Sequence, residues 1–190
     1  MSDPLSKLFG TSARVKLLRL FLFNSRQSFT LPEAAQRART TLLETRRELR
    51  LFQSVDLIVR GKKGGRYALA NDFAYVEALQ NLLLNAPTRV EDIVEWVRGI
   101  GPVKLVVLSG VFLGEWNDSL DMLIVGDKIQ ERKIRQRTRR FEAEIGKELR
   151  FTILSIEDFL YRLNMNDKLI RDVFDYPHRI VLDRLNIGLK

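Results

Sequence analysis

Two short stretches, Thr30-Leu31-Pro32-Glu33 and Thr41-Leu42-Leu43-Glu44, constrain this chain more than any others. In each, a threonine stands three residues ahead of a glutamate. At that spacing hydroxyl and carboxylate reciprocally satisfy the amide donors that a helix start leaves free. Pro32 falls in the first turn of the earlier box, where a missing N–H costs nothing. The boxes predict a short helix from Thr30 to about Ala38, a tight turn, and another helix opening at Thr41. On that second helix Leu42, Thr45, Leu49 and Phe52 fall on one side, while Leu43, Glu44, Arg46, Arg47 and Arg50 fall on the other.

The flanking residues extend the pattern. From Ser12 to Phe23, the residues Val15, Leu17, Leu18, Leu20, Phe21 and Leu22 give a helix with one broad apolar face, ended by Asn24-Ser25. Ser28-Phe29-Thr30 reads as short and extended. Leu57-Ile58-Val59-Arg60 and Arg66-Tyr67-Ala68-Leu69 read as strands, joined by a glycine-rich tip, Gly61-Lys62-Lys63-Gly64-Gly65, that carries two lysines. That tip lacks the Lys-Ser/Thr ending of a phosphate-binding loop. Two capped helices around a tight turn, the second with an arginine-rich outer face, form a helix-turn-helix.

Three helices followed by a hairpin with a basic tip resemble the winged helix-turn-helix transcriptional regulators, over about residues 8–72. The stretch "TTLLETRRELRLFQSVDLIVR" carries the likeness, with Asp56 at the turn position where that family usually has glycine. Aspartate tolerates the left-handed conformation better than most residues. The resemblance implies double-stranded DNA as partner and a homodimer reading paired half-sites. In such a complex Thr41, Glu44, Arg46, Arg47 and Arg50 would reach base edges or backbone, and Lys62, Lys63 and Arg66 would neutralise flanking phosphates. The alternative is a winged helix that contacts protein only, its arginines a solvated face.

Charge distribution bears on the same choice. Of the net charge of +8, residues 1–75 contribute 14 Lys and Arg against 6 Asp and Glu, whereas residues 76–190 carry 18 against 18. A basic segment beside a neutral remainder is the electrostatic pattern of a nucleic-acid-binding domain attached to something else. The bland alternative is a basic surface that keeps the protein soluble. Cysteine is absent, which removes disulfides, thiolate metal sites and cysteine nucleophiles and is compatible with the cytoplasm. No apolar run approaches the ~20 residues of a membrane span, and the N-terminus lacks a basic region followed by an apolar one. A soluble, cytoplasmic protein without membrane contact is expected.

The 190 residues divide by pattern into a DNA-binding domain over 1–72, a connecting helix over 73–87 and an α/β domain over 88–190, a two-domain α+β and α/β architecture. The connecting helix, with Phe73, Val76, Leu79, Leu82, Leu83 and Leu84, is more apolar than a surface linker needs. Its expected cover is either a second copy of the chain or the protein's own second domain. Beyond Thr88 the pattern is an amphipathic helix (Val90, Ile93, Val94, Trp96, Val97), a strand over 103–108, a loop, and a strand over 120–125. A charged helix over about 129–147, a strand over 149–154, helices over 156–164 and 168–175, and a strand over 178–182 follow.

The segment "SGVFLGEWNDSLDMLIVGD", residues 109–127, links the first two of these strands. Helix, strand, Ser-Gly, loop, acid-bearing strand, helix and strand resemble the minimal nucleotidyltransferase fold over roughly residues 88–183. In that family Gly-Ser ends the first strand, Asp-x-Asp begins the second, and the next strand supplies a third carboxylate. Nucleotidyl transfer needs those acids to bridge divalent cations that neutralise a triphosphate. Here the pair is reversed as Ser109-Gly110, a nucleotide-binding remnant. The second aspartate falls on Asp121, the first on Ser119, and the third strand offers Arg150 and Thr152 but no acid. The resemblance therefore implies a degenerate, inactive domain with no catalytic residues and no cofactor, used for dimerisation, partner binding or sensing of a small-molecule or nucleotide effector. The alternative is a magnesium-dependent enzyme whose ligands are Asp121 with Asp118 or Glu115. His178, the only histidine, follows Pro177 at a strand start and reads as structural. The basic run over 128–140 reads as a solvated helix.

Overall fold

The computed structural model describes residues 4–61, 64–70, 72–84, 90–114 and 120–186. It is a mixed α and β structure whose described residues form two small sheets. Contacts divide the chain into two compact units: Met1–Ala86 with Arg139–Glu148, and Pro87–Thr138 with Leu149–Lys190. Among the described helices, none is long and apolar enough to cross a membrane.

The first unit begins with α1 (Pro4–Leu8) and α2 (Ser12–Phe23), then a two-residue strand β1 (Ser28–Phe29). Next come α3 (Leu31–Ala38), α4 (Leu42–Ser54), β2 (Ile58–Arg60), β3 (Tyr67–Leu69) and α5 (Val76–Leu84). Both capping boxes form where the sequence places them. Thr30 accepts from the Glu33 amide and Thr41 from the Glu44 amide, while each glutamate accepts the threonine's own N–H, at 2.8 Å and 2.9 Å. Asp56 takes the left-handed conformation expected of it, with φ of 58°. β3 lies between β1 and β2, antiparallel to both, and Arg60 faces Tyr67 across the hairpin.

The core of this unit gathers Val15, Leu18, Phe21 and Leu22 of α2 with Ala34, Ala38, Leu49, Phe52, Leu57 and Leu69. Phe21 and Phe29 meet edge to face, with ring centroids 5.7 Å apart. Leu42 does not join them. It is 53% exposed, because the first turn of α4 runs ahead of the packed part of the helix, which starts at Thr45. Glu48, which the pattern put on neither side, is buried on the inner side and accepts from Arg14 of α2. α5 also packs here: Leu83 is in the core, Val76 and Leu79 lie against it, and the Gln80 amide donates to the Leu22 carbonyl at 2.7 Å. The helix expected to connect two domains is thus covered within its own unit. The stretch 139–148 is held by the same unit, with Lys16 on Glu144 at 2.8 Å and the Asn24 amide on the Gly146 carbonyl at 2.6 Å.

The second unit contains α6 (Val90–Val97), β4 (Val103–Leu108), β5 (Met122–Gly126) and the start of α7 (Glu131–Ile145). β6 (Phe151–Leu154), α8 (Ile156–Asn164), α9 (Lys168–Phe174) and β7 (Arg179–Asp183) follow. The strand order is β6-β5-β4-β7, with β5 parallel to β6 and β4 antiparallel to both its neighbours. Apart from the half-buried Lys104, the residues of β4 and β5 are buried on both faces, which is why residues 105–108 and 122–126 carry no polar side chain. Leu105, Val107, Leu123 and Val125 meet Phe159 of α8 and Ile170 and Val173 of α9. Val106 and Ile124, pointing the other way, are equally without exposure.

Candidate functional site

In the first unit the candidate site is the solvent side of α4. Thr45, Leu49 and Phe52 are buried on the inner side, and Glu48 accepts from Arg14 Nε at 2.7 Å and from Thr11 Oγ1 at 3.4 Å. A buried carboxylate held by a guanidinium fixes the rotation of α4 about its axis. Its partner lies 34 residues away, so helix spacing alone carries no signal of it. With that face locked, Arg46, Arg47 and Arg50 point to solvent, and among the described residues no ion pair or hydrogen bond engages their guanidinia.

The other expected members of this site are placed differently. Thr41 and Glu44 are exposed, but their polar atoms serve one another: Thr41 Oγ1 donates to Glu44 Oε2 at 2.7 Å and accepts the Glu44 amide at 3.2 Å. Those bonds, first from the Thr41 hydroxyl and then from its backbone, hold the Glu44 carboxyl below its ordinary value. Arg66 is likewise committed. Its Nε donates to Ser28 Oγ at 3.0 Å and its guanidinium pairs with Glu33 at 2.8 Å, tying β1 to the start of α3. Lys62 and Lys63 lie outside the described residues. Arg60, which sequence reasoning passed over, is an exposed cation on β2 stacked over Tyr67, 5.5 Å from the ring centroid. Its strand position beside an aromatic was the available signal.

In the second unit the candidate site surrounds Asp121, just ahead of β5. Its backbone N–H donates to the Arg150 carbonyl at 2.7 Å, and its carbonyl accepts the Ser109 N–H at 3.0 Å. The backbone is thereby clamped between the end of β4 and the approach to β6. The carboxylate is completely buried and accepts four donors. Oδ1 takes the Val111 N–H at 3.1 Å and Arg150 Nη2 at 3.2 Å; Oδ2 takes the Arg150 N–H at 2.8 Å and its Nε at 3.2 Å. A carboxylate offers about four lone-pair sites, so this one is saturated, and one of its partners is a permanent cation.

Ser109 and Gly110 are equally engaged. Ser109 Oγ donates to the Leu120 carbonyl at 2.8 Å. Gly110 has φ of 53° and opens a short 3₁₀ turn, Gly110–Leu113. A Cβ there would collide with Asp121 Oδ1, so only glycine allows the turn to lie against the carboxylate. The amides that a phosphate cradle would need are used internally: Val111 donates to Asp121 and Phe112 to the Ser109 carbonyl at 3.2 Å. Asp118, Glu115 and Ser119 lie outside the described residues. Among the described residues no group of three or more His, Asp or Glu side chains is arranged to hold a metal ion. The donor set around Asp121 does not fit a divalent cation, because its oxygens are taken and a guanidinium stands beside them. Compared with protein families, with curated proteins and with solved structures, the chain finds no match.

Proposed function

We propose that this protein is a cytoplasmic DNA-binding regulator. In this reading the first unit is a winged helix whose α4 enters the major groove. The second is a nucleotidyltransferase-like domain that has lost catalysis and serves dimerisation, partner binding or effector sensing. The observation that carries the reading is the row Arg46, Arg47 and Arg50, exposed and without ion-pair partners among the described residues, on a helix whose opposite side is locked by Arg14 and Glu48. An arginine on a rigid helix can make a bidentate contact to guanine, worth about 1–3 kcal/mol of discrimination. The basic excess of residues 1–75 and the lysine-bearing tip at Lys62 and Lys63 supply the phosphate contacts that such a mode requires. Loss of catalysis is supported by the saturated Asp121 carboxylate, since a metal-bridging acid needs open oxygens.

Fluorescence anisotropy on a selected and a random duplex, across a salt series, tests the reading. Wild-type protein should bind both with a salt-dependent affinity and prefer the selected one. Replacing Lys62 and Lys63 with alanine should weaken both alike and flatten the log–log salt slope by about 0.9 per lost phosphate contact. Arg46→Ala or Arg47→Ala should instead narrow the preference. Absence of salt-dependent binding to either duplex would overturn it.

A further inference from the structure

The first turn of α4 holds an apolar side chain in water at the head of the arginine row. Leu43 is 78% exposed, although the capping box around Thr41 and Glu44 makes that turn well ordered. Arg46, Arg47 and Arg50 follow it by three, four and seven residues, the spacing that puts side chains on one helical strip. Leu42 is also exposed, but its own neighbours at that spacing are Thr45 and Leu49, both buried, and Arg46. The strip therefore presents one branched apolar group followed by three cations without partners among the described residues.

That combination selects among ligands. Arginine does occur at protein–protein interfaces, but their core is depleted of charged residues as a class, and one leucine beside three guanidinia without partners among the described residues offers little apolar area to bury. A polyanion with an apolar group set among hydrogen-bond acceptors fits better. The major groove of a DNA duplex has this chemistry: phosphates along both walls, guanine acceptors on its floor, and the 5-methyl of thymine as its apolar mark. We propose that Leu43 is a specificity-determining residue that recognises DNA by packing against a thymine 5-methyl group in the major groove. The inference rests on the DNA-binding reading and adds a base preference to it. Leu43 makes no hydrogen bond, so it distinguishes thymine from cytosine and from uracil by the methyl alone.

Duplexes enriched by the wild-type protein from a random pool supply the probe. Each thymine in the enriched site is replaced singly by deoxyuridine, which keeps base pairing and removes only the methyl. Binding is followed by anisotropy at two salt concentrations for wild type, Leu43→Ala and Leu42→Ala. Both substitutions sit on an exposed turn and favour helix, so the variants fold. Wild type should lose about fourfold in affinity at one or two uracil positions, the effect of one methyl-sized group removed from water. Leu43→Ala should bind thymine and uracil sites equally there with an unchanged salt slope, and Leu42→Ala should discriminate as wild type does. If wild type binds with a salt slope but no uracil substitution matters, or Leu43→Ala still discriminates, or Leu42→Ala fails equally, the role of Leu43 is wrong and DNA binding stands. If no duplex is enriched or bound at low salt, both readings fall, and the strip serves a protein partner.

Discussion

The guanidinium of Arg150 closes on both carboxylate oxygens of Asp121, Nε on Oδ2 and Nη2 on Oδ1, each at 3.2 Å. An internal cation thus stands beside the one acid that the nucleotidyltransferase resemblance assigns to a metal. A ligand that binds the folded state raises its stability in proportion to the logarithm of its concentration. Magnesium or manganese at millimolar concentration should therefore leave the Tm unshifted, and labelled nucleoside triphosphates should yield no transfer product. A Tm that climbs with magnesium and stops climbing in Asp121→Ala would restore the enzyme reading.

The same pair should be strongly coupled in stability. Asp121→Ala strips acceptors from the Val111 and Arg150 amides as well as from the guanidinium, and should cost about 3 kcal/mol. Arg150→Ala leaves the carboxylate two amide donors and removes a side chain that is 39% exposed, so a smaller loss of about 1–2 kcal/mol is expected. The double variant should lose less than the sum. Gly110→Ala, forced into a left-handed turn with its Cβ 2.9 Å from the Leu120 carbonyl, should cost at least about 2 kcal/mol. Both tryptophans, Trp96 and Trp116, belong to the second unit, so denaturation followed by their fluorescence reports on it separately.

Leu83 should behave as a core residue. It is 1% exposed within the cluster of α2 and its neighbours. Leu83→Ala is expected to destabilise the first unit by about 2–4 kcal/mol, read by helical circular dichroism in urea, without changing the sedimentation coefficient. Leu82, 45% exposed on the same helix, is the position whose polar replacement probes self-association through α5. Loss of a dimer in Leu83→Ala at unchanged stability would reverse this assignment.

Acid should loosen the starts of α3 and α4. Glu33 is held below the ordinary carboxylate value of 4.5 chiefly by the Thr30 amide and then by Arg66, and Glu44 chiefly by the Thr41 hydroxyl. Because the folded values are depressed, the stability these groups contribute is present above the unfolded value and disappears as pH falls through the folded one. Between about pH 5 and pH 3 the wild type should lose stability more steeply than a Glu33→Gln, Glu44→Gln variant, which keeps a neutral capping oxygen. Parallel pH profiles for the two proteins would show that the boxes do not titrate in this way.

What the sequence by itself determined is local. Thr30 and Thr41 begin their helices where the capping spacing places them, α2 runs from Ser12 to Phe23, and Asp56 turns left-handed after α4. Each of these depends on hydrogen bonds or steric limits that reach no further than one helical turn, so residue type and spacing suffice. Tertiary structure decided the rest. Glu48 is buried because Arg14, 34 residues away, is packed against it, and Leu42 stays in water because α4 begins ahead of the core. α5 is covered by its own unit, which its apolar residues could not specify, since burial has no direction. Asp121 loses its oxygens to Arg150, 29 residues on, because β5 and β6 pair in parallel with Met122 opposite Phe151. That register places the residue before one strand beside the residue before the other, and turns a candidate metal ligand into half of an ion pair.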